Sequence, residues 1–170
     1  MNVGGAKRVP MADLRALLEQ LGCREVKTLL NSGNAVFTGT TERTAVHSQR
    51  IRSAISAKLG VDVPVIVKTA REVAAVVADN PFAAVATDPS RYLVALTCDA
   101  KSLTALAALK AAGGAGDEFR IGRYAAYLWC ANGILGSKLA VALLKGLGES
   151  GTTRNWATVG KIHALTRQDS

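Results

Sequence analysis

The sequence predicts an α+β protein with antiparallel sheets, made of two ferredoxin-like halves of the βαββαβ type. Three observations lead there. Helical-period apolar stripes alternate with short β-prone runs. The element order read over residues 1–68, αββαβ, is echoed over residues 69–170 as αβαββαα. Hydrophobic residues make up 49% of the 170, enough to bury a core. The halves are expected to be residues 1–68 and 69–170, the second with an extra terminal helix, together forming one compact unit. They share element order but no residue-level repeat.

Taken in order, Pro10 suits a first helical position, and Met11, Leu14, Leu17, Leu18 and Leu21 recur at helical spacing until Gly22. Val26 to Leu30 and Ala35 to Thr38 are β-prone runs around Ser32-Gly33-Asn34, a hairpin connection by composition. Glu42 to Leu59 carries the stripe Ile51, Ala54, Ile55 and Leu59 and stops at Gly60. Val61 to Val67 reads as a strand, with Pro64 placing it at an edge or a bulge. The second series runs helix Ala70 to Asp79, strand Tyr92 to Thr97, helix Lys101 to Ala112, and a Gly113-Gly114-Ala115-Gly116 connection. Strands Phe119 to Ile121 and Tyr124 to Trp129 follow, then helices Leu135 to Leu147 and Thr153 to Thr166. A helix followed by a hairpin needs a strand before it to complete the split unit. Only Met1 to Val3 stands there, so the first strand of the N-terminal half is expected to be missing or reduced, as from a gene start placed too far downstream.

No apolar run approaches the roughly 18–20 residues of a membrane span, and no basic segment with an apolar run opens the chain, so the expected location is the cytoplasm. Cys23, Cys98 and Cys130 are odd in number, widely spaced and free of a CxxC pair, which reads as three small buried hydrophobes. The two histidines, His47 and His163, lie far apart with no HExxH or Cys/His cluster, so neither a metal nor another cofactor is expected. No GxSxG elbow and no Ser-His-Asp order asks for a hydrolase.

The net charge is +8, and it is uneven. From Arg120 to Arg167 there are seven basic residues against one acid, Glu149; the remainder carries fourteen against twelve. A basic C-terminal third suggests a polyanionic partner or an acidic ligand, against the alternative of a merely solubilising surface.

Three polar islands sit where loops meet regular elements. Asn2, Gly4 and Gly5, followed by Lys7 and Arg8, precede a helix whose amides could meet an anion. Ser32, Gly33 and Asn34 form the hairpin connection, where turn chemistry alone would account for them. In the third, Thr152 or Thr153 caps the last helix while Arg154 and Asn155 contact the anion held there. On that helix Arg154 and Lys161, seven apart, share a face, and Trp156, Val159 and Ile162 form the core-facing side. Ser137 and Lys138 begin the preceding helix, with Lys138 and Lys145 again seven apart. If the two basic faces align they make a stripe for phosphate; otherwise they are solvated side chains. No aromatic and basic interleave of the RRM kind is present.

Asn2-Val3-Gly4-Gly5, Val9-Pro10-Met11-Ala12-Asp13-Leu14-Arg15, Ser32-Gly33-Asn34-Ala35-Val36-Phe37, Gly136-Ser137-Lys138-Leu139 and Thr153-Arg154-Asn155-Trp156-Ala157-Thr158-Val159 stand in the order of a known pattern. The chain resembles the uncharacterised bacterial family known as domain of unknown function 1697. The resemblance implies an α+β fold of ferredoxin-like character and brings no established activity. Members typically open with an apolar strand and Arg-Gly-Ile before Asn-Val-Gly-Gly, where this sequence has Met1, and usually have aromatic residues or Gln where Leu29, Leu30 and Asn31 stand here.

The expected function is binding of a phosphate-bearing ligand, nucleic acid first, at a rim where the islands gather. Arg154, Asn155, Lys138 and Lys161 would make contacts, with Asn2, Gly4, Gly5, Ser32, Gly33, Asn34, Ser137 and Thr153 shaping the site. The alternatives are an enzyme acting on a small anionic metabolite and a protein-interaction or oligomerisation module. Expected partners are nucleic acid or a small phosphorylated ligand, with no membrane, the protein itself being a monomer or weak homo-oligomer.

Overall fold

A four-stranded antiparallel sheet with helices on both faces organises most of the chain. The computed structural model describes residues 9–112 and 116–167; the Asn2-Gly5 island and the Gly113–Ala115 connection lie outside them. The described elements run α1 (Met11–Gln20), β1 (Arg24–Leu29), β2 (Asn34–Thr38), α2 (Thr44–Leu59), α3 (Ala70–Ala78), β3 (Tyr92–Thr97), α4 (Ala100–Ala105), β4 (Asp117–Ile121), β5 (Ala126–Cys130), α5 (Lys138–Leu147), β6 (Gly151–Asn155) and α6 (Trp156–Arg167).

The large sheet has the order β4-β5-β3-β6, every pair antiparallel. Taken as β3-α4-β4-β5-α5-β6, this is the ferredoxin-like split unit, with its first strand in the middle of the sheet. Strand pleating sends alternate residues to opposite faces. Leu93, Ala95, Ala126, Leu128 and Cys130 pack with Leu103, Leu139, Leu143 and Leu147 of α4 and α5. Tyr92, Val94, Tyr127 and Trp129 pack on the other side with Val76 of α3 and Val159 of α6. Both faces of β3 and β5 are therefore dry, which is why Tyr92-Leu93-Val94-Ala95 and Ala126 to Cys130 are apolar without interruption. The tyrosines keep their hydroxyls satisfied, Tyr92 donating to Asn80 Oδ1 at 2.7 Å and Tyr127 to the Val76 carbonyl at 2.8 Å.

The N-terminal elements form their own cluster. Leu14, Leu17 and Leu18 of α1, Cys23, Val26 of β1, and Ile51 and Ile55 of α2 are buried together. The β1–β2 hairpin is antiparallel, with Leu29 opposite Asn34, and the connection uses positive φ at Leu30 (58°) and Gly33 (77°). Gly33 serves that backbone without strain, whereas Leu30 adopts it at a cost.

Four expectations need correction. Residues 61–69 belong to no strand, and no backbone–backbone hydrogen bond joins residues 61–68 to another segment among the described residues. Val63, Val65 and Val67 alternate toward the N-terminal cluster as a strand would, yet among the described residues they have no ladder partner. Residues 151–155, read as helix, form β6, so α6 begins only at Trp156. Helix 101–112 breaks after Ala105 into a 3₁₀ segment, Leu106–Ala112. Cys98 is exposed, unlike Cys23 and Cys130.

Gly151 shows how tightly β6 is seated: a Cβ there would lie 2.9 Å from the Leu96 carbonyl oxygen and collide with Leu147. Leu143→Ala, at a fully buried position, is expected to lower the unfolding free energy by about 2–5 kcal/mol in urea denaturation. Val141→Ala, two residues earlier and on the exposed side of the same helix, should change it by less than about 0.5 kcal/mol.

Candidate functional site

Two of the three polar islands meet. Arg154 lies opposite Val94 in the β3–β6 ladder, so its side chain leaves the sheet on the face that α3 and α6 cover. There it reaches the β1–β2 turn, 120 residues earlier in the chain. Its Nε donates to Asn34 Oδ1, and one Nη2 N–H donates to the Ser32 carbonyl at 3.1 Å. Nη1 donates to Thr152 Oγ1 at 2.6 Å and to its neighbour's carbonyl, Thr153 O, at 2.8 Å. Thr152 stands two residues back along β6 and shares the face of Arg154 for the reason that strand side chains alternate.

Asn34 is buried and fully committed. Its Nδ2 donates to the Leu29 carbonyl at 3.1 Å and to Ser32 Oγ at 2.8 Å, while its Oδ1 accepts from Arg154. The Ser32-Gly33-Asn34 segment is thus both turn chemistry and one wall of a contact between distant segments. Ser32 and Gly33 are exposed at the tip.

The guanidinium in this seam is half-buried and faces neutral acceptors. Among the described residues no carboxylate lies within ion-pair distance of it. Burial lowers its pKa from the ordinary value, the expected direction for a desolvated cation, but a guanidinium still holds its charge at neutral pH. Of its five N–H donors, one on Nη2 has no acceptor among the described residues.

The remaining candidates lie elsewhere. Asn155 ends β6 and caps α6: its Oδ1 accepts from the Thr158 amide at 2.9 Å and from Thr158 Oγ1 at 2.7 Å. The cap expected at Thr152 or Thr153 is therefore made by Asn155, and Thr153 is a β6 residue opposite Ala95. Arg154 is not on α6 at all, so no helical face relates it to Lys161, which is exposed on that helix. Ser137 is buried; it caps α5 through the Ala140 amide at 2.9 Å and donates to Asp117 Oδ2 at 2.6 Å. Asp117 opens β4, the sheet edge opposite β6, about 14 Å away at three strand spacings. Lys138 is exposed at the start of α5, on the far face of the sheet from α6. The basic residues of α5 and α6 therefore form no continuous stripe. Asn2, Gly4 and Gly5 lie outside the described residues.

A separate cleft between α2, residues 62–66 and the loops at Cys98-Asp99 and Glu149 escaped the sequence reading, because its walls come from segments with no shared motif. Arg52 spans it, bonding Asp62 with two N–H groups at 2.6 and 2.7 Å and Glu149 at 3.3 Å. Hydrogen bonding from Arg52 holds the Asp62 carboxyl below its usual range, and the Ser102 amide does the same for Asp99. Both carboxylates are therefore fixed in the ionised form, the opposite of what a general acid needs. Among the described residues no group of three or more His, Cys, Asp or Glu is placed to hold a metal ion, and no helix is long and apolar enough to cross a membrane.

The model of the family described as protein of unknown function (DUF1697) matches residues 1–127. The conserved bacterial protein SP0830 from Streptococcus pneumoniae is similar in structure, with a TM-score of 0.78 over 98% of this chain and 93% of its own, at 21% identity. That likeness is one of fold. No curated protein matches the chain.

Asn34→Ala would strip three hydrogen bonds from the seam and is expected to cost about 1–3 kcal/mol in chemical denaturation. The double variant Asn34→Ala/Arg154→Gln should lose less than the sum of the single losses, because both act on one contact. Asn155→Ala should cost about 1 kcal/mol through its cap and add independently to Lys138→Gln.

Proposed function

The chain belongs to the DUF1697 family of proteins of unknown function, and from that premise we propose that it binds a phosphate-bearing ligand at the Arg154 seam, with nucleic acid the class its net charge favours. One observation carries the reading: among the described residues this half-buried guanidinium meets no carboxylate and keeps one Nη2 N–H without an acceptor. A desolvated cation without a counter-charge is costly, and an anion that takes its remaining donor recovers part of that cost through a charge-assisted bond. The other four donors are fixed on Asn34, Ser32, Thr152 and Thr153, so the fork is pre-organised and little side-chain entropy is lost on binding.

The same geometry bounds the footprint. With Lys138 across the sheet, Arg154 and Lys161 are the candidates left on the α6 side. A single strand bound there neutralises about two phosphates, for a salt dependence of log K on log salt of about −1.4 and not the steep slope of an extended track. The +8 charge adds a weak, general attraction.

Fluorescence anisotropy with a labelled single-stranded oligonucleotide, and calorimetry with inorganic phosphate, test this at two salt concentrations. Arg154→Gln is expected to weaken both by about tenfold or more, whereas Lys138→Gln leaves both unchanged. Binding that is absent, or equally sensitive to Lys138 and Arg154, would remove the proposal.

A further inference from the structure

The N–H groups of an arginine lie in two parallel pairs, Nε with Nη2 and Nη1 with Nη2, and either pair can grip a carboxylate through both oxygens. In the Arg154 seam Nε is committed to Asn34, and Nη1 to Thr152 and Thr153, so neither pair is open. The N–H that Nη2 keeps can meet one oxygen of a ligand and no more. Any further oxygen has to be held by another group.

Two hydroxyls border the same guanidinium, and both are used there as acceptors. Thr152 Oγ1 accepts from Nη1 at 2.6 Å, and Ser32 Oγ accepts from Asn34 Nδ2 at 2.8 Å. A hydroxyl also carries a donor, and among the described residues neither O–H has an acceptor. Ser32 is the residue whose carbonyl holds Nη2, so its hydroxyl lies within one residue of the spare N–H. Thr152 flanks the other side, two residues before Arg154 on the same face of β6. The approach over the turn is open: Ser32 and Gly33 are exposed, and among the described residues a Cβ on Gly33 would meet nothing within 4 Å.

We propose that three donors, the spare Nη2 N–H, the Ser32 hydroxyl and the Thr152 hydroxyl, make the seam selective for a terminal phosphate over an internal phosphodiester or a carboxylate. This selectivity rests on the phosphate reading of Arg154 and narrows its ligand to a phosphomonoester. A phosphomonoester offers three acceptor oxygens, one for each donor, and a charge of about −1.5 to −2 at neutral pH. An internal diester has two unesterified oxygens and a single negative charge, so one donor goes unmatched and the guanidinium is offset less. A carboxylate also has two oxygens, in a plane suited to the paired N–H groups that are already taken. Ser32 and Thr152 are thus the specificity-determining residues, and Arg154 is the charge between them.

Anisotropy of one single-stranded oligonucleotide, labelled at its far end and carrying either a phosphate or a hydroxyl at the other, measures the preference on the intact protein. Calorimetry with inorganic phosphate and with dimethyl phosphate measures it without a strand. The phosphorylated strand is expected to bind at least about tenfold more tightly than the hydroxyl one, and inorganic phosphate to exceed dimethyl phosphate by a similar factor. A phosphorylated strand that binds more tightly than inorganic phosphate identifies the strand end as the source of the group; equal affinity identifies a free phosphomonoester. Ser32→Ala and Thr152→Val, with folds checked by circular dichroism, should each cut the preference about threefold or more, while Thr152→Ser, which keeps the hydroxyl, preserves it. A merely structural role would weaken every ligand alike and leave the ratio unchanged, and that result would overturn the assignment. Equal binding of the two strands, still lowered by Arg154→Gln, would overturn the terminal-phosphate preference and leave the phosphate reading standing. Absent binding, or binding that ignores Arg154→Gln, would remove both.

Discussion

The guanidinium of Arg154 is the contact on which the relation between the two ends of the chain depends. Its bonds to Asn34 and Ser32 join the N-terminal hairpin turn to the edge strand of the large sheet. Around that seam hydrophobic packing is divided. The α1, β1 and α2 residues close on one another, while the large sheet is filled from both faces by its own helices. A directional bond between two packings that also meet where α6 lies against β2 fixes their register more sharply than apolar contact could, because hydrogen bonds have narrow geometry and hydrophobic contact does not. Arg52 of α2 makes a second, more exposed tie, linking Asp62 to Glu149. Being solvent-screened, that pair contributes less than its short distances suggest.

Why a cation without a counter-charge should be kept in such a place has a physical answer. If Arg154 only fastened the turn, a neutral donor such as Gln would reach Asn34 without the desolvation burden that burial imposes on the charge. The charge matters when something negative arrives. The fork is already oriented by four neutral acceptors, and the exposed turn at Ser32 and Gly33 leaves one side open to solvent. The structural relative shares the fold around this seam and, like the family, is silent on what meets it.

Much of the architecture was legible in the sequence because its signals are local. Apolar spacing marked α1 through Leu14, Leu17 and Leu18, the Ser-Gly-Asn composition marked the hairpin turn, and the uninterrupted apolar run marked β3. The seam is foreshadowed too, since the polar composition of Ser32-Gly33-Asn34 and of Thr153-Arg154-Asn155 marks both of its sides. What failed was non-local. Thr152-Thr153-Arg154-Asn155 carries no apolar alternation because its inward face serves the Arg154 contact, so β6 looked like a helix start, and its threonines imitated the cap that Asn155 makes. The α5 and α6 basic faces could not be aligned by a helical wheel, which orders residues within one helix but not across a sheet. Residues 61–67 have strand periodicity but no ladder among the described residues, since periodicity reports which residues face the core and not whether a neighbour is there to bond.

Nitrogen-detected NMR of the Arg154 side chain during titration with inorganic phosphate reads the central claim most directly. The account predicts a saturable shift of the Nη2 resonance, where the uncommitted N–H lies, while Nε stays in place on Asn34 and Asn34→Ala releases it. A guanidinium whose resonances ignore phosphate throughout, or shift linearly and no more than those of exposed arginines such as Arg167, would reduce Arg154 to a structural tie and contradict the account.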